Sequence, residues 1–100
     1  MLLRHPGITA VADEIYEYIN FGGRHESLGA IERVKNRVVT VNGLSKGFAM
    51  TGWRLGFLAA PRWIADACDK IQGQFTSGTN SITQRAAITA LTGSLEPSRE

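Results

Sequence analysis

Cysteine is nearly absent: Cys68 stands alone among 100 residues. A single thiol closes no intrachain disulfide, and no Cys/His spacing suited to zinc is present, so no metal site is expected. Long apolar runs are missing as well. Stretches such as Val38 to Val41 and Leu55 to Ala60 fall far short of the roughly 20 apolar residues that a membrane helix needs. No basic-then-apolar leader opens the chain, so the expected address is cytoplasmic, with no membrane partner. Charge of one sign is also scarce. Eleven Lys and Arg against nine Asp and Glu leave +2, scattered, with Arg33, Lys35 and Arg37 as the densest stretch, which is no nucleic-acid footprint.

What is present is ordinary for a globular chain: 43% apolar and 20% charged residues, without repeats, low-complexity tracts or linkers. This length allows one domain at most, and a domain so small buries only about 60 to 65% of its unfolded surface.

Pro6-Gly7 ends an opening helical stub, Met1 to His5, and Ile8 to Ala12 then reads as a buried strand that stops on Asp13-Glu14. Glu14 to Phe21 suits a turn or two of irregular helix, broken by Gly22-Gly23. Ser27 is placed to cap a short helix bearing Leu28, Ile31 and Val34. Val38 to Val41 is a β-branched run of the kind found in strands covered on both faces, and the connection before it is long enough for a parallel crossover. Leu55 to Ala60 follows after a short Gly-rich loop, which predicts an antiparallel return. Pro61 fits a helix start, with Ile64, Ala67, Cys68, Ile71 and Phe75 as its apolar stripe and Cys68 as a small core residue. Ser81 with Gln84 matches a capping box opening a second helix that bears Ile82, Ala86, Ala87, Ala90 and Leu91 and stops at Gly93. The fold class is therefore α/β, a mixed sheet with two parallel strands and one antiparallel strand, flanked by helices.

In open α/β sheets ligands bind beyond the carboxyl ends of the parallel strands. Those ends deliver Asp13 and Tyr16 from the first strand and Asn42, Ser45 and Lys46 from the second, while Arg54 joins the same rim if the third strand is antiparallel. Each residue has a plain structural alternative: Asp13 as a cap, Tyr16 as a half-buried aromatic, Ser45 as a turn residue, Lys46 and Arg54 as solvated charges. Gly43, Gly47 and Gly52 punctuate the loop, yet neither a dinucleotide fingerprint nor a P-loop is present. His5 and His25 show no carboxylate or cysteine partner at ligand spacing and read as surface residues. Trp53 and Trp63 read as packing residues.

Asp13-Glu14-Ile15-Tyr16, together with the run from Ser45-Lys46 to Gly52-Trp53-Arg54, resembles the D-x-x-Y and S-K-x-x-x-x-x-G-x-R motifs of the class I/II pyridoxal-phosphate-dependent aminotransferases, the aspartate aminotransferase superfamily. The resemblance runs on through Gln84 and implies a part of the fold type I large, cofactor-binding domain spanning residues 1–100, with no second domain. It implies that Lys46 forms the Schiff base with the aldehyde of pyridoxal 5′-phosphate and later shuttles the substrate proton. An amine is the side chain that makes an imine, and only Lys35, Lys46 and Lys70 are available. By the same resemblance Asp13 pairs with the pyridine nitrogen, Tyr16 bonds the ring's 3-oxygen, and Ser45 and Arg54 grip the phosphate. Gln74 to Ser81 resembles the stretch near the family's subunit interface.

The implied substrates are an amino acid of aspartate or aromatic type and a 2-oxo acid, and the implied full-length assembly is a homodimer. Family members are several times longer, so the chain is expected to be a fragment, inactive alone, without the glycine-rich phosphate segment, the stacking aromatic and the carboxylate-binding arginine. Two alternatives stay open: a lyase on the same fold, since the motifs fix the cofactor and not the reaction, and a non-catalytic aminotransferase-like regulatory domain or fragment.

Overall fold

The computed structural model describes residues 1–96. Its frame is a three-stranded mixed sheet in the order β1–β2–β3, formed by Ala10–Asp13, Val38–Gly43 and Gly56–Ala59. β1 and β2 are parallel, with Ala10 opposite Val38 and Asp13 opposite Val41; β2 and β3 are antiparallel, with Thr40 opposite Ala59 and Gly43 opposite Gly56. Both directions match the sequence expectation. Two helices follow, α1 over Arg62–Phe75 and α2 over Ser81–Thr92.

The first strand starts later than expected because Ile8 N–H closes the Pro6-Gly7 turn by donating to His5 O at 3.2 Å. It is also less covered: Val11 and Asp13 are exposed while Ala10 and Ala12 are half-buried. Arg37 fastens the N-terminal stub to the entrance of β2. Its Nη1 donates to His5 O and Ile8 O, and its Nη2 to Leu2 O at 2.9 Å. The planar guanidinium suits this, since it offers five N–H donors in a fixed fork.

The helix expected around Leu28, Ile31 and Val34 is instead two separate 3-10 turns, Leu28–Ala30 and Lys35–Arg37. Ser27 does cap the first, accepting from Gly29 N–H, but Ile31 is extended at its end. Gly29 sits so close to β2 that a Cβ there would come within 2.6 Å of Thr40 Oγ1. Close docking on the strand has won over helix continuity. Glu14 to Phe21 forms consecutive hydrogen-bonded turns, with Glu17 N–H donating to Glu14 O and Ile19 N–H to Tyr16 O.

Helix starts are displaced by one residue. Pro61 stands just before α1 rather than inside it, its carbonyl accepting from Ile64 and Ala65 N–H. At α2 the capping residue is Asn80 rather than Ser81: its Oδ1 accepts from Thr83 N–H at 2.9 Å, and Gln84 Nε2 reaches back to Thr79 O instead of to Ser81. Asn and Ser are comparable caps, and the asparagine amide also donates to Thr83 Oγ1 at 2.9 Å, a second link to the same residue. Gly93 ends the helix as expected.

The buried apolar residues are Val34, Val38, Val39, Leu44 and Ala87. They cluster on and around β2. The helix stripes are far less covered than their patterning predicts: no residue of α1 is buried, Cys68 is half-buried, and Trp63, Ile71, Phe75, Ile82 and Leu91 are exposed. The described residues make a slab, 41 × 40 × 18 Å, with a radius of gyration of 15.2 Å, against about 13 Å for a compact domain of this length. No helix among them is long and apolar enough to cross a membrane.

Exposed aromatic and aliphatic side chains on both helices, with an unpaired edge on each outer strand, are surfaces that seek partners. The hundred residues in isolation are expected to self-associate and to unfold without a sharp transition. Sedimentation with a thermal melt checks this, and a monodisperse monomer melting cooperatively would overturn it.

Candidate active site

The parallel pairing sends the carboxyl ends of β1 and β2 to one rim of the sheet. Glu14 N–H extends the ladder one step beyond Asp13 by donating to Val41 O at 2.8 Å. β2 continues through Asn42 and Gly43 into the loop that carries Leu44, Ser45 and Lys46. Because β3 is antiparallel and begins opposite Gly43, Arg54 and Leu55 lie at that same rim. A Cβ on Gly43 would stand 2.8 Å from Leu55 O and 3.2 Å from Gly56 Cα, so only glycine permits this close backbone return.

The loop between the strands is tight. Leu44 anchors it as the most deeply buried large side chain, at 1% exposure. Ala49 N–H donates to Lys46 O and Met50 N–H to Leu44 O. Ala49 has φ 52° and Arg54 φ 54°, left-handed values that cost a non-glycine residue about 1 kcal/mol and that packing must enforce. Arg54 is exposed, and its Nη1 donates to Thr51 O at 2.8 Å, one of the five N–H groups of the guanidinium.

Asp13, Tyr16, Ser45, Lys46 and Arg54 thus all lie on segments at the same end of the sheet. Lys46 Nζ stands 5.9 Å from the Tyr16 ring centroid, within the reach of a cation–π contact. The Asp13 carboxylate accepts from Ile15 N–H at 3.3 Å and is exposed. Among the described residues, neither Lys46 nor Arg54 has a carboxylate within ion-pair distance. An open groove of about 800 Å³ lies between β3 and the helices, lined by Val41, Leu58, Cys68, Gln72 and Gln84, and it meets the rim through Arg54.

One constellation escaped the sequence reading. Glu14, buried at 7% exposure, binds His25 Nε2 through Oε2 at 3.0 Å, while its Oε1 accepts from Ser27 Oγ at 2.9 Å and from Leu28 N–H at 3.3 Å. His25 is therefore no idle surface residue. Sequence spacing hid the pair because the two lie eleven residues apart across an irregular loop; the signal that could have found it is Glu14 itself, an acid directly following the first strand. Burial raises the Glu14 carboxyl, but hydrogen bonds from His25 and Ser27, the His25 charge and the Leu28 amide outweigh it, and the net shift is below the ordinary value. The Glu17 carboxylate also lies near, yet both Glu14 oxygens are already engaged, so the arrangement is a hydrogen-bonded hub. Tyr18, in the turn hung from this hub, packs edge-on against Phe48 with ring centroids 5.4 Å apart; burial, then the neighbouring Glu17, raises its hydroxyl above the ordinary value.

A mixed α/β sheet with a carboxylate, a phenol, an amine, a hydroxyl and a guanidinium carried at one rim has the arrangement in which open α/β folds bind ligands. The chain belongs to the class I and II aminotransferases, whose family model matches residues 1–100. It is 50% identical over 92 residues to a bifunctional aspartate aminotransferase and glutamate/aspartate-prephenate aminotransferase of Petunia hybrida, covering 91% of this chain and 19% of that protein. An aspartate aminotransferase of Rhizobium meliloti strain 1021 is 44% identical over 95 residues, covering 93% of this chain and 23% of that one. Among solved structures, the aspartate aminotransferase from Rhizobium meliloti superposes with a TM-score of 0.91 at 42% identity, over 98% of this chain and 25% of its own. The chain thus spans about a fifth to a quarter of the length of these relatives. The expected α/β architecture of the fold type I large domain is borne out.

The ionised Glu14 carboxyl stabilises the fold above its ordinary value of about 4.5, and that contribution is lost as the pH falls through the lowered folded value. Glu14→Gln is expected to lower the unfolding free energy by about 1 to 3 kcal/mol near neutrality, with the gap to the parent narrowing below about pH 4.5. Urea unfolding across that range checks both.

Proposed function

We propose that the protein carrying this chain is a pyridoxal-phosphate-dependent aminotransferase acting between an amino acid of aspartate or aromatic type and a 2-oxo acid. The observation that carries the reading is the meeting of Lys46 with Tyr16 at the rim that also holds Asp13 and Arg54. The donor set fits the cofactor part by part: an anion for a ring nitrogen, a phenol for a ring oxygen, an amine for an aldehyde, and a hydroxyl with a guanidinium for a phosphate. The names of the relatives favour amino transfer over the lyase alternative.

When bound, the cofactor supplies an aldehyde that condenses with amines and a cationic ring that draws electrons from a substrate α-carbon. Asp13, as an acceptor, would hold a proton on the ring nitrogen and keep that pull strong. Tyr16 Oη would donate to the ring 3-oxygen. Arg54 would hold the phosphate with its forked, permanently charged donors, and Ser45 would add a hydroxyl. Lys46 Nζ would be the amine that holds the aldehyde end, and as a free amine it would serve as the base and then the acid that moves the substrate's α-proton. Residues 1–100 form part of the cofactor-binding domain, in a homodimer whose full length supplies the groups that select the substrate. The single thiol, Cys68, has no partner among the described residues and suits a reducing, cytoplasmic address.

Borohydride reduction of the cofactor-loaded full-length protein, followed by peptide mapping, should place the label on Lys46, and a label on Lys35 or Lys70 overturns the assignment. Asp13→Ala should reduce turnover far more than stability. Retention of more than about a tenth of normal turnover, equivalent to under about 1.4 kcal/mol, would remove Asp13 from its role. Assays with aspartate, tyrosine and cystathionine as donors separate amino transfer from elimination.

A further inference from the structure

We propose that Gly47 and Tyr18 are positioning residues for the Lys46 amine, a mutual stop that sets how far the lysine loop can travel toward Tyr16. The inference deepens the proposed function and rests on it, since it concerns the same amine.

Gly47 directly follows Lys46 and is buried, whereas Lys46 is exposed. A Cβ at Gly47 would lie 2.5 Å from Tyr18 Cδ2, 3.1 Å from its Cβ and 3.2 Å from its Cγ. The crowding involves the root of the tyrosine, so turning the ring gives no relief, and a methyl group here must push the two turns apart. Phe48 holds the ring from another side at 5.4 Å and 75°. The tyrosine turn is itself fixed: Glu17 N–H donates to Glu14 O, Ile19 N–H to Tyr16 O, and the Glu14 side chain is held by His25, Ser27 and Leu28. The lysine loop is equally closed, by Met50 N–H to Leu44 O and by the buried Leu44.

The two turns therefore touch where Gly47 and Phe48 meet Tyr18, and one residue to the side of Gly47 the Lys46 Nζ lies 5.9 Å from the Tyr16 ring centroid. Tyr16 and Tyr18 divide the work: the first faces the amine, the second bears on the backbone that carries it. Glycine at position 47 is required here by proximity rather than by a left-handed φ, since its φ is not positive.

The test uses the full-length protein with Gly47→Ala, Tyr18→Ala and the double variant. The readouts are the rate at which pyridoxal phosphate becomes trapped on Lys46 by borohydride, kcat and the amino-donor KM, and the melting temperature. Gly47→Ala is expected to slow trapping and kcat by about tenfold or more, as a displacement near 1 Å does, with KM within about twofold. Tyr18→Ala removes the atoms 2.5 and 3.2 Å from the methyl and leaves only the Cβ at 3.1 Å, which a small shift accommodates, so the double variant should trap faster than Gly47→Ala and approach the rate of Tyr18→Ala. That rescue supports the stop, including where Gly47→Ala alone fails to fold. Gly47→Ala trapping within about twofold of the parent, or a double variant no faster than Gly47→Ala, overturns the inference while Lys46 labelling in the parent leaves the functional reading standing. A parent label on another lysine overturns both.

Discussion

Everything at the rim depends on β2 being hydrogen-bonded along both edges with opposite polarity. Its parallel neighbour ends where it ends, and its antiparallel neighbour begins there. Reverse either direction and Asp13 or Arg54 moves to the far side of the sheet, a strand's length away from Lys46. The strand earns this central place through its side chains: Val38 and Val39 are buried where it enters, and Asn42 and Gly43 where it leaves. Asn42 is a polar residue at the buried exit, and its Oδ1 accepts from Gly43 N–H at 2.7 Å, which shapes the turn into the lysine loop. Gly43 then lets β3 return at a separation no other residue allows.

The sheet was legible in the sequence because β-branched runs and connection length are local signals with few competing readings. Val38 to Val41 could hardly be anything but a covered strand, and the loop from Asn42 to Arg54 is too short and glycine-rich for a parallel return. The five rim residues followed from those strands, and the motifs named the family. What the sequence concealed depends on contacts between segments far apart. Leu28, Ile31 and Val34 have helical spacing, yet Gly29 docks on Thr40, and tertiary contact overrode periodicity. The Glu14 hub joins three positions whose spacing follows no repeating pattern, so only the folded loop brings them together.

The helices show a different limit. Patterning says which face of a helix wants cover, and it says nothing about what provides it. Trp63 and Phe75 on α1, and Ile82 and Leu91 on α2, are exposed among the described residues, while Thr83 and Ala87 are the residues of α2 that are buried. Thr83 is held there by polar links, its hydroxyl donating to Trp53 O at 3.1 Å and so tying α2 to the short turn that precedes Arg54. A helix thus reaches the rim through one hydroxyl, a connection that apolar periodicity cannot register.

The two pairings of β2 differ in the entropy their closure costs. The crossover runs from the end of β1 to Val38, whereas the β2–β3 return is closed by a shorter loop. Loop-closure entropy grows slowly with length, so the crossover tolerates inserted residues with little loss, while the tight lysine loop, whose backbone must bring Leu55 O against Gly43, does not.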